Sequence, residues 1–137
     1  MSHTEKENYS GKRPVLIVED NPVNRDLFSL QLQQFGLATK YATNGREAVE
    51  LIQTNPDAFS MILMDLQMPV MDGITATQLI REYESNTNRH ITIVALTAND
   101  SAGIQNQCLE AGMDDFVNKP STLVKISDIL SKWLKDS

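Results

Sequence analysis

The sequence predicts one α/β domain with a doubly wound sheet of five parallel strands and five helices. Short apolar runs alternate with longer amphipathic stretches from Pro14 onward, which is the pattern of repeated strand and helix units. The first and third runs, 15–18 and 61–64, are apolar at every position, as in strands that are buried on both faces. Five such units fit within 137 residues, a length that supports a single hydrophobic core.

The first strand, 15–18, leads into a helix that begins beside Asn21 and Pro22. Asn is a favoured helix cap, and Pro is favoured at the first helical position. One face of this helix carries three apolar residues, Val23, Leu27 and Leu30. Gly36 then ends the helix, and a weakly signalled second strand is expected at 38–42.

The second helix opens at Asn44 and Gly45, and its buried face is expected to carry Ala48, Val49 and Ile52. The third strand, 61–64, is followed by a loop at 68–73 that contains Pro and Gly. The third helix then runs to about Ser85. It begins with Ile74, Thr77, Ile80 and Arg81.

The fourth strand is predicted at 91–96, and a short fifth strand contains Phe116 and Val117. Between them lies a fourth helix, which Gly112 closes. This helix carries Ile104, Cys108 and Ala111, and a closing helix carries Leu123, Ile126, Leu130 and Trp133. Parallel strands joined by right-handed crossovers are expected. Five strand–helix units in this length favour a doubly wound, flavodoxin-like order of 2-1-3-4-5, although periodicity alone does not fix that order.

Composition and charge indicate a soluble cytoplasmic domain. The formal net charge of −6 argues against binding to nucleic acid or to an anionic membrane. No apolar run is long enough to span a bilayer, and the single cysteine, Cys108, excludes a disulfide framework. Residues 1–13 are predicted to be a flexible polar tail or linker, and residues 14–135 to be the folded domain.

In doubly wound sheets, ligands bind beyond the carboxyl ends of the strands, so those positions are the candidates for a functional site. The residues found there are Glu19, Asp20, Asp65, Thr97 and Lys119, the last followed by Pro120. Three carboxylates, one hydroxyl and one ammonium group are therefore expected at one edge of the sheet. Asp65 follows a fully apolar strand, and a carboxylate in such a place needs a partner.

Three carboxylates in a small volume repel one another, and a hard divalent cation offsets that repulsion. Mg²⁺ binds a few carboxylate oxygens and leaves positions for water and phosphate oxygens. With the metal neutralising charge on a phosphoryl group, Asp65 is placed to attack phosphorus. Lys119 and Thr97 suit contacts with phosphoryl oxygens. The pattern thus indicates a Mg²⁺-dependent phosphoryl acceptor.

Each of these residues also has an ordinary structural explanation when it is considered alone. Glu19 and Asp20 can be solvated or can cap a helix. Thr97 can cap the helix that follows it, and Lys119 can be a surface residue. Their joint placement at one edge of the sheet favours function.

At these residues the sequence resembles the receiver domain of two-component response regulators. The matching segments are VLIVEDN (15–21), ILMDLQMP (62–69), MDG (71–73), IVALTA (93–98) and KP (119–120). The resemblance extends from about Pro14 to the end of the chain. The strings EDNPVN (19–24) and MDLQMP (64–69) are similar to receivers found within hybrid sensor histidine kinases.

The resemblance implies that Asp65 takes a phosphoryl group from phosphohistidine, on a His-containing phosphotransfer domain or a histidine kinase. It implies that Mg²⁺, or Mn²⁺ as a substitute, is held by Glu19, Asp20, Asp65 and the backbone carbonyl of Gln67. Thr97 and Lys119 then have catalytic roles as contacts to phosphoryl oxygens. The domain is expected to catalyse its own phosphorylation and slow dephosphorylation and otherwise not to be an enzyme. Phosphorylation is expected to switch its conformation and so pass on the signal.

The resemblance also implies a cis peptide bond between Lys119 and Pro120. It places Phe116 at the aromatic switch position, where the ring turns inward as Thr97 moves toward the phosphate. Because Phe lacks the hydroxyl of Tyr, switching here would depend on packing alone; the structural alternative is a plain core aromatic. The residues expected to tune the phosphoryl lifetime by positioning water are Gln67 and Asn99.

Three other classes of protein share part of this pattern. A phosphatase of the haloacid dehalogenase kind also has an Asp nucleophile after a parallel strand, but its second acid would fall at Gln67. A flavin-binding module would need an anion cradle after the first strand, where Glu19 and Asp20 would repel phosphate. A receiver-like module that is never phosphorylated is the third alternative, and the complete acceptor set argues against it.

The segment is expected to be either a stand-alone receiver or part of a larger hybrid kinase. The linker-like tail and the hybrid-type strings favour the second case. A membrane-bound parent would still place this domain in the cytosol. We expect a monomer, with a weak dimer through the last helices as the alternative.

Overall fold

The computed structural model describes residues 8–98 and 101–134, in which five strands alternate with five helices. The strands are β1 (Val15–Val18), β2 (Thr39–Ala42), β3 (Met61–Asp65), β4 (Thr92–Thr97) and β5 (Asp115–Asn118). The helices are α1 (Pro22–Gln33), α2 (Gly45–Thr54), α3 (Gly73–Glu84), α4 (Ala102–Ala111) and α5 (Leu123–Trp133). Within the described residues, no helix has the length and apolar character needed to cross a bilayer.

All four strand pairs are parallel, and the strand order is β2-β1-β3-β4-β5. The predicted fold class and strand order are therefore confirmed. In the register, Val18 pairs with Met64 and Asp65 pairs with Leu96. The carboxyl ends of β1, β3 and β4 consequently lie side by side, which brings residues distant in sequence to one edge of the sheet.

Two hydrophobic clusters cover the two faces of the sheet, because successive strand residues point to opposite sides. On β1, Val15 and Ile17 belong to the cluster that contains α1 and α5 residues. Leu16 and Val18 belong to the cluster that contains α2, α3 and α4 residues. All four β1 side chains are buried, which explains why that strand is apolar throughout.

The predicted helix caps are observed. The Asn21 side chain accepts hydrogen bonds from the first turn of α1, with Pro22 as the first helical residue. Asn44 caps α2 through the amide of Glu47. At the end of α4, Gly112 has a φ of 107°, a left-handed conformation that costs glycine little.

The apolar face of α1 identified from the sequence points to solvent. Its residues Val23, Leu27 and Leu30 are exposed. The buried residues of α1 are instead Phe28, Gln31 and Leu32. The helix therefore has apolar side chains on both faces, and helical periodicity alone does not tell which face packs against the sheet.

Part of the segment predicted as a tail packs against the folded domain. Tyr9 is buried in the cluster on the α1 and α5 side, and its amide donates to the carbonyl of Phe35 at 2.7 Å. The core therefore includes a residue on the N-terminal side of Pro14. The division at residues 13 and 14 stays a prediction, and residues 1–7 lie outside the described residues.

Candidate functional site

Three acidic side chains meet at the carboxyl ends of β1 and β3. Glu19, Asp20 and Asp65 each place an oxygen within 4.8 Å of the others. Glu19 is 1% exposed and Asp65 is 3% exposed, whereas Asp20 is exposed to solvent. The cluster is therefore open on the Asp20 side. This arrangement follows from the pairing of β1 with β3, which places the two strand ends level.

Lys119 supplies a cation to this cluster from the end of β5. Its Nζ lies 3.1 Å from Asp65 Oδ1 and 3.3 Å from Glu19 Oε1. The Lys119 amide donates to the carbonyl of Thr97 at 2.9 Å, which continues the pairing of β5 with β4. This hydrogen bond fixes the backbone position of Lys119, from which the side chain extends to the acidic cluster.

The charges of the cluster act on each other. Burial raises the pKa of Glu19, and the negative charge of Asp65 raises it further. The hydrogen bond from the Asn21 amide and the positive charge of Lys119 lower the pKa, but the net shift is upward. Burial by itself lowers the pKa of Lys119, but the hydrogen bond and charge of Asp65, followed by those of Glu19, outweigh burial and raise it. Lys119 is therefore held in its charged form.

The donor set fits a hard divalent cation. Among the described residues, the carboxylates of Glu19 and Asp65 form ion pairs with Lys119 alone. Asp20 adds a third carboxylate, so the negative charge of the cluster exceeds the single positive charge of Lys119. Opposite ligands of an octahedral Mg²⁺ ion lie about 4.2 Å apart, given bonds of about 2.1 Å. Oxygens within 4.8 Å of one another need only small movements to bind it.

A cavity of about 470 Å³ opens beside the cluster. Asp65, Thr97 and Lys119 line it together with polar and apolar residues of the β3–α3 loop, α3 and α4. Thr97 is itself buried. The cavity therefore gives a group the size of phosphate access to a carboxylate, an ammonium and a hydroxyl, as the positions at the strand ends predicted.

The family model described as response regulator receiver domain matches residues 15–131. This is most of the chain, and it includes every residue of the acidic cluster and Lys119. The chain is a response regulator receiver domain. The resemblance inferred from the sequence is confirmed, and with it the prediction that the domain is a receiver of a two-component phosphorelay.

A relative with a similar sequence is hybrid signal transduction histidine kinase A of Dictyostelium discoideum. It is 41% identical over 123 residues, which cover 89% of this chain but 6% of that kinase. The sensor histidine kinase GacS of Pseudomonas protegens is 40% identical over 132 residues and is matched over 14% of its length. The receiver thus spans a small part of the relatives that it matches.

A solved structure of similar fold is the receiver domain of sensor histidine kinase PA1611 from Pseudomonas aeruginosa. It is 36% identical, has a TM-score of 0.79, and is matched over 91% of this chain and 99% of its own. That receiver has a magnesium ion coordinated in its active site cleft. The acidic cluster of the present receiver offers carboxylate oxygens, which are the ligands that Mg²⁺ prefers.

The loop after β3 depends on glycine at position 73. A Cβ at Gly73 would overlap the carbonyl oxygen of Asp65, so a larger residue at position 73 would displace the backbone of Asp65. The Gly73 amide also donates to the carbonyl of Leu66 at 3.1 Å. Asp72 caps α3 by accepting from the amide of Thr75 at 2.7 Å. The MDG motif therefore positions the receiver's β3–α3 loop tightly against the strand end.

The other site residues predicted from the sequence lie around this centre. The Gln67 amide donates to Asp65 Oδ1 at 3.3 Å. The Lys119–Pro120 peptide bond is cis. Phe116 is half-buried and packs against the α2, α3 and α4 side of the core. Asn99 lies outside the described residues.

Arg25 is a residue of the receiver's site that the sequence reasoning missed. Its guanidinium donates to the backbone carbonyls of Glu19 and Asp20, at 3.1 and 3.4 Å. It also lies over the ring of Tyr41, 4.3 Å from the centroid, a cation–π contact. No periodic or motif signal in the sequence indicates these contacts, because they depend on how α1 and β2 pack beside the end of β1.

Proposed function

We propose that Asp65 is the phosphoryl acceptor of this receiver and that the donor is a phosphohistidine on a partner protein. The observation that carries the proposal is the placement of the Asp65 carboxylate. It lies at the wall of a cavity, within 3.1 Å of the Lys119 ammonium and beside two further carboxylates. This combination gives a nucleophile, a cation for phosphoryl oxygens and a set of oxygen ligands for a metal.

In the proposed step, an Asp65 carboxylate oxygen forms a bond to phosphorus while the bond from phosphorus to the imidazole nitrogen breaks. The imidazole keeps the electron pair of the broken bond and takes up a proton as required. Asp65 becomes an acyl phosphate. Both bonds lie roughly in line in such transfers, and catalysis consists of positioning and charge stabilisation.

Lys119 and Thr97 are the residues that we propose contact the transferred phosphoryl oxygens. The Lys119 ammonium, which pairs with Asp65 before transfer, can turn to the new phosphoryl oxygens because they carry more charge. The Thr97 hydroxyl can donate to another oxygen from the end of β4. A bound Mg²⁺, or Mn²⁺ in its place, would be held by Glu19, Asp20, Asp65 and the Gln67 carbonyl, and would neutralise charge on the phosphoryl group.

The proposed switch couples this chemistry to the surface around β4, α4 and β5. Movement of Thr97 toward the phosphoryl group vacates space near Phe116, whose half-buried ring can then turn inward. The phosphoryl group shifts the equilibrium between the two conformations of the domain only to the extent that its contacts are more favourable in one of them. We also propose that the domain hydrolyses its own acyl phosphate slowly. Gln67 and Asn99 would position the attacking water.

The donor docks, in our proposal, on the exposed apolar face of α1 beside the site. This α1 patch consists of Val23, Leu27 and Leu30, which are exposed. Leu123 and Val124 are also exposed, at the start of α5, a helix that contacts α1. Asp20, on the open side of the acidic cluster, lies two residues before the start of α1, so the patch begins near the site. A similar solved receiver, that of Ssk1 from Saccharomyces cerevisiae, was crystallised with the histidine phosphotransfer protein Ypd1. The two receivers are 35% identical and have a TM-score of 0.79. The match covers 89% of this chain and 88% of that chain.

Replacing Leu30 by Glu should separate docking from chemistry. We expect Leu30→Glu to slow phosphorylation by a phosphorylated His-containing phosphotransfer domain about tenfold, because a charge would have to be desolvated in an apolar contact. The rate with acetyl phosphate should stay unchanged. Stopped-flow or quench measurements with both donors provide the comparison. Leu109→Glu is the matched control, since Leu109 is exposed on α4; equal losses from the two variants would contradict docking on α1.

We further propose that the domain is part of a hybrid histidine kinase and lies in the cytoplasm. The support is the set of relatives, in which a matching segment occupies a small part of a kinase. We propose a monomer, with weak dimerisation through the last helices as the alternative.

The function is tested directly by offering a phosphohistidine donor with and without metal. We expect the wild-type protein to gain one phosphoryl group by intact mass when Mg²⁺ is present. Chelation with EDTA should slow the transfer by at least about 100-fold, because the acidic cluster then repels the incoming phosphate. Mn²⁺ should restore the rate. Transfer that proceeds equally well in EDTA would contradict the proposed metal dependence.

A further inference from the structure

Gln31 is a buried polar residue that the receiver's packing does not explain. It lies on the buried face of α1 between Phe28 and Leu32, and it is 9% exposed. Its Nε2 donates to the backbone carbonyl of Ser121 at 2.7 Å. Its Oε1 is buried and has no hydrogen-bond partner among the described residues. One half of the carboxamide is therefore used, and the other half is left unpaired.

An unpaired buried oxygen destabilises the folded state, because it loses its hydrogen bonds to water and gains no partner within the protein. Met has nearly the same length and no group that needs a partner, so it would fill the same space more favourably. The neighbouring positions of α1, Phe28 and Leu32, are apolar and belong to the core. Packing between α1 and α5 thus favours an apolar residue at position 31, and what distinguishes Gln31 is its hydrogen bond to Ser121.

Ser121 lies in the loop that carries Lys119 from β5 to α5. At its start this loop is held by the hydrogen bond from the Lys119 amide to the Thr97 carbonyl, at 2.9 Å. Two residues later it is held by the Gln31 carboxamide. The lysine is therefore bracketed by two fixed points, one on the sheet and one on α1.

We propose that Gln31 is a positioning residue, which holds the β5–α5 loop so that the Lys119 ammonium reaches Asp65. This inference rests on the proposed function, in which Lys119 contacts the phosphoryl group. Gln31 touches none of the reacting atoms, and it acts through the loop. Because α1 also begins beside Asp20, the same helix connects the acidic cluster at one end to the lysine loop at the other.

The substitution Gln31→Met tests the inference. We expect the maximal rate of phosphorylation by acetyl phosphate to fall about tenfold, as small misplacements of a catalytic group are costly. The Mg²⁺ concentration for half-maximal rate should not change, because Gln31 does not contact the acidic cluster. Thermal stability should stay equal or rise, since the unpaired oxygen is removed. If Gln31 does not position the loop, the rate of phosphorylation of Gln31→Met will equal that of the wild-type protein, whatever the change in stability.

Hydrogen exchange of the Lys119 amide gives a second measurement that does not depend on phosphorylation. It should become about tenfold faster in Gln31→Met, while the Val117 amide within β5 is unaffected. Gln33→Met is the matched control, because Gln33 is on the same helix, exposed, and bonded locally to Ser29. Unchanged Lys119 exchange would overturn the positioning role. If the wild-type protein gains no phosphoryl group, the proposed function fails, whereas the exchange data still decide whether Gln31 holds the loop.

Discussion

The Asp65→Asn variant should gain no phosphoryl group from any donor. The amide that replaces the carboxylate has the same shape but carries no negative charge, so it does not attack phosphorus. It also provides one fewer anionic oxygen for a divalent metal. We expect phosphorylation of the variant to be undetectable after incubation with acetyl phosphate and Mg²⁺ for a time that saturates the wild-type protein. Intact mass measures the gain of a single phosphoryl group.

Asp72→Asn provides the control for this experiment. Asp72 lines the same cavity as Asp65, but its carboxylate caps α3 through the Thr75 amide. Asn is an equally good cap, so Asp72→Asn should fold and accept the phosphoryl group normally. A phosphoryl group on Asp65→Asn would show that another carboxylate is the acceptor, with Asp20 the first to examine because it is the exposed member of the cluster.

The parts of the fold that could be predicted are those in which local sequence and tertiary structure agree. Strand β1 and residues 61–64 of β3 are apolar because both faces of the sheet are covered, and that pattern is visible in the sequence. Asn21, Asn44 and Gly112 are local signals for helix ends, and the structure uses all three.

Predictions of how the helices pack succeeded less well. The sequence does not tell which of the two apolar stripes of α1 faces the sheet, because both have helical spacing. Phe28 and Leu32 occupy the interior, and Leu30 is left at the surface. Tyr9, which packs in the core, lies in the segment predicted as a tail, since one aromatic residue within a polar segment has no periodicity.

The residues of the candidate site could be predicted from the sequence more completely than the packing of the helices. Parallel strands bring their carboxyl ends together whatever the helices do, so Glu19, Asp65 and Lys119 meet as expected. The contacts of Arg25 and Gln31 could not be predicted in this way. Each joins a side chain of α1 to backbone carbonyls elsewhere, and such contacts depend on the angle and height at which the helix packs.

Lys119→Met should impair both stability and phosphorylation. The ammonium of Lys119 is the partner of two buried carboxylates, and its side chain is 20% exposed. Its removal leaves Glu19 and Asp65 facing each other without a counter-charge, at a cost on the order of 3 kcal/mol near neutral pH. The phosphorylation rate should fall about 100-fold, as expected when one charged contact to the reacting group is lost. Urea denaturation and intact mass measure the two effects.

The same substitution should make stability depend on pH and on Mg²⁺ in a defined direction. The pKa of Glu19 is raised in the folded protein above its ordinary value of 4.5, first by burial and also by the charge of Asp65. A raised carboxyl pKa means that the folded state binds the proton more tightly than the unfolded state. Stability therefore increases as pH falls through the raised pKa toward 4.5. The difference between Lys119→Met and wild type should shrink over that range, because protonation removes the repulsion.

Mg²⁺ should restore part of the lost stability near neutral pH, since the cation replaces the missing positive charge and binds only the folded state. The stabilisation by Mg²⁺ should be larger for Lys119→Met than for wild type, and NaCl at equal ionic strength should not reproduce it. Lys132→Met is the control, because Lys132 is 62% exposed and pairs with Asp115 at 3.6 Å, a surface pair whose loss costs about 1 kcal/mol or less. Equal unfolding curves for the two variants, with equal responses to Mg²⁺, would contradict the conclusion that Lys119 neutralises the acceptor site.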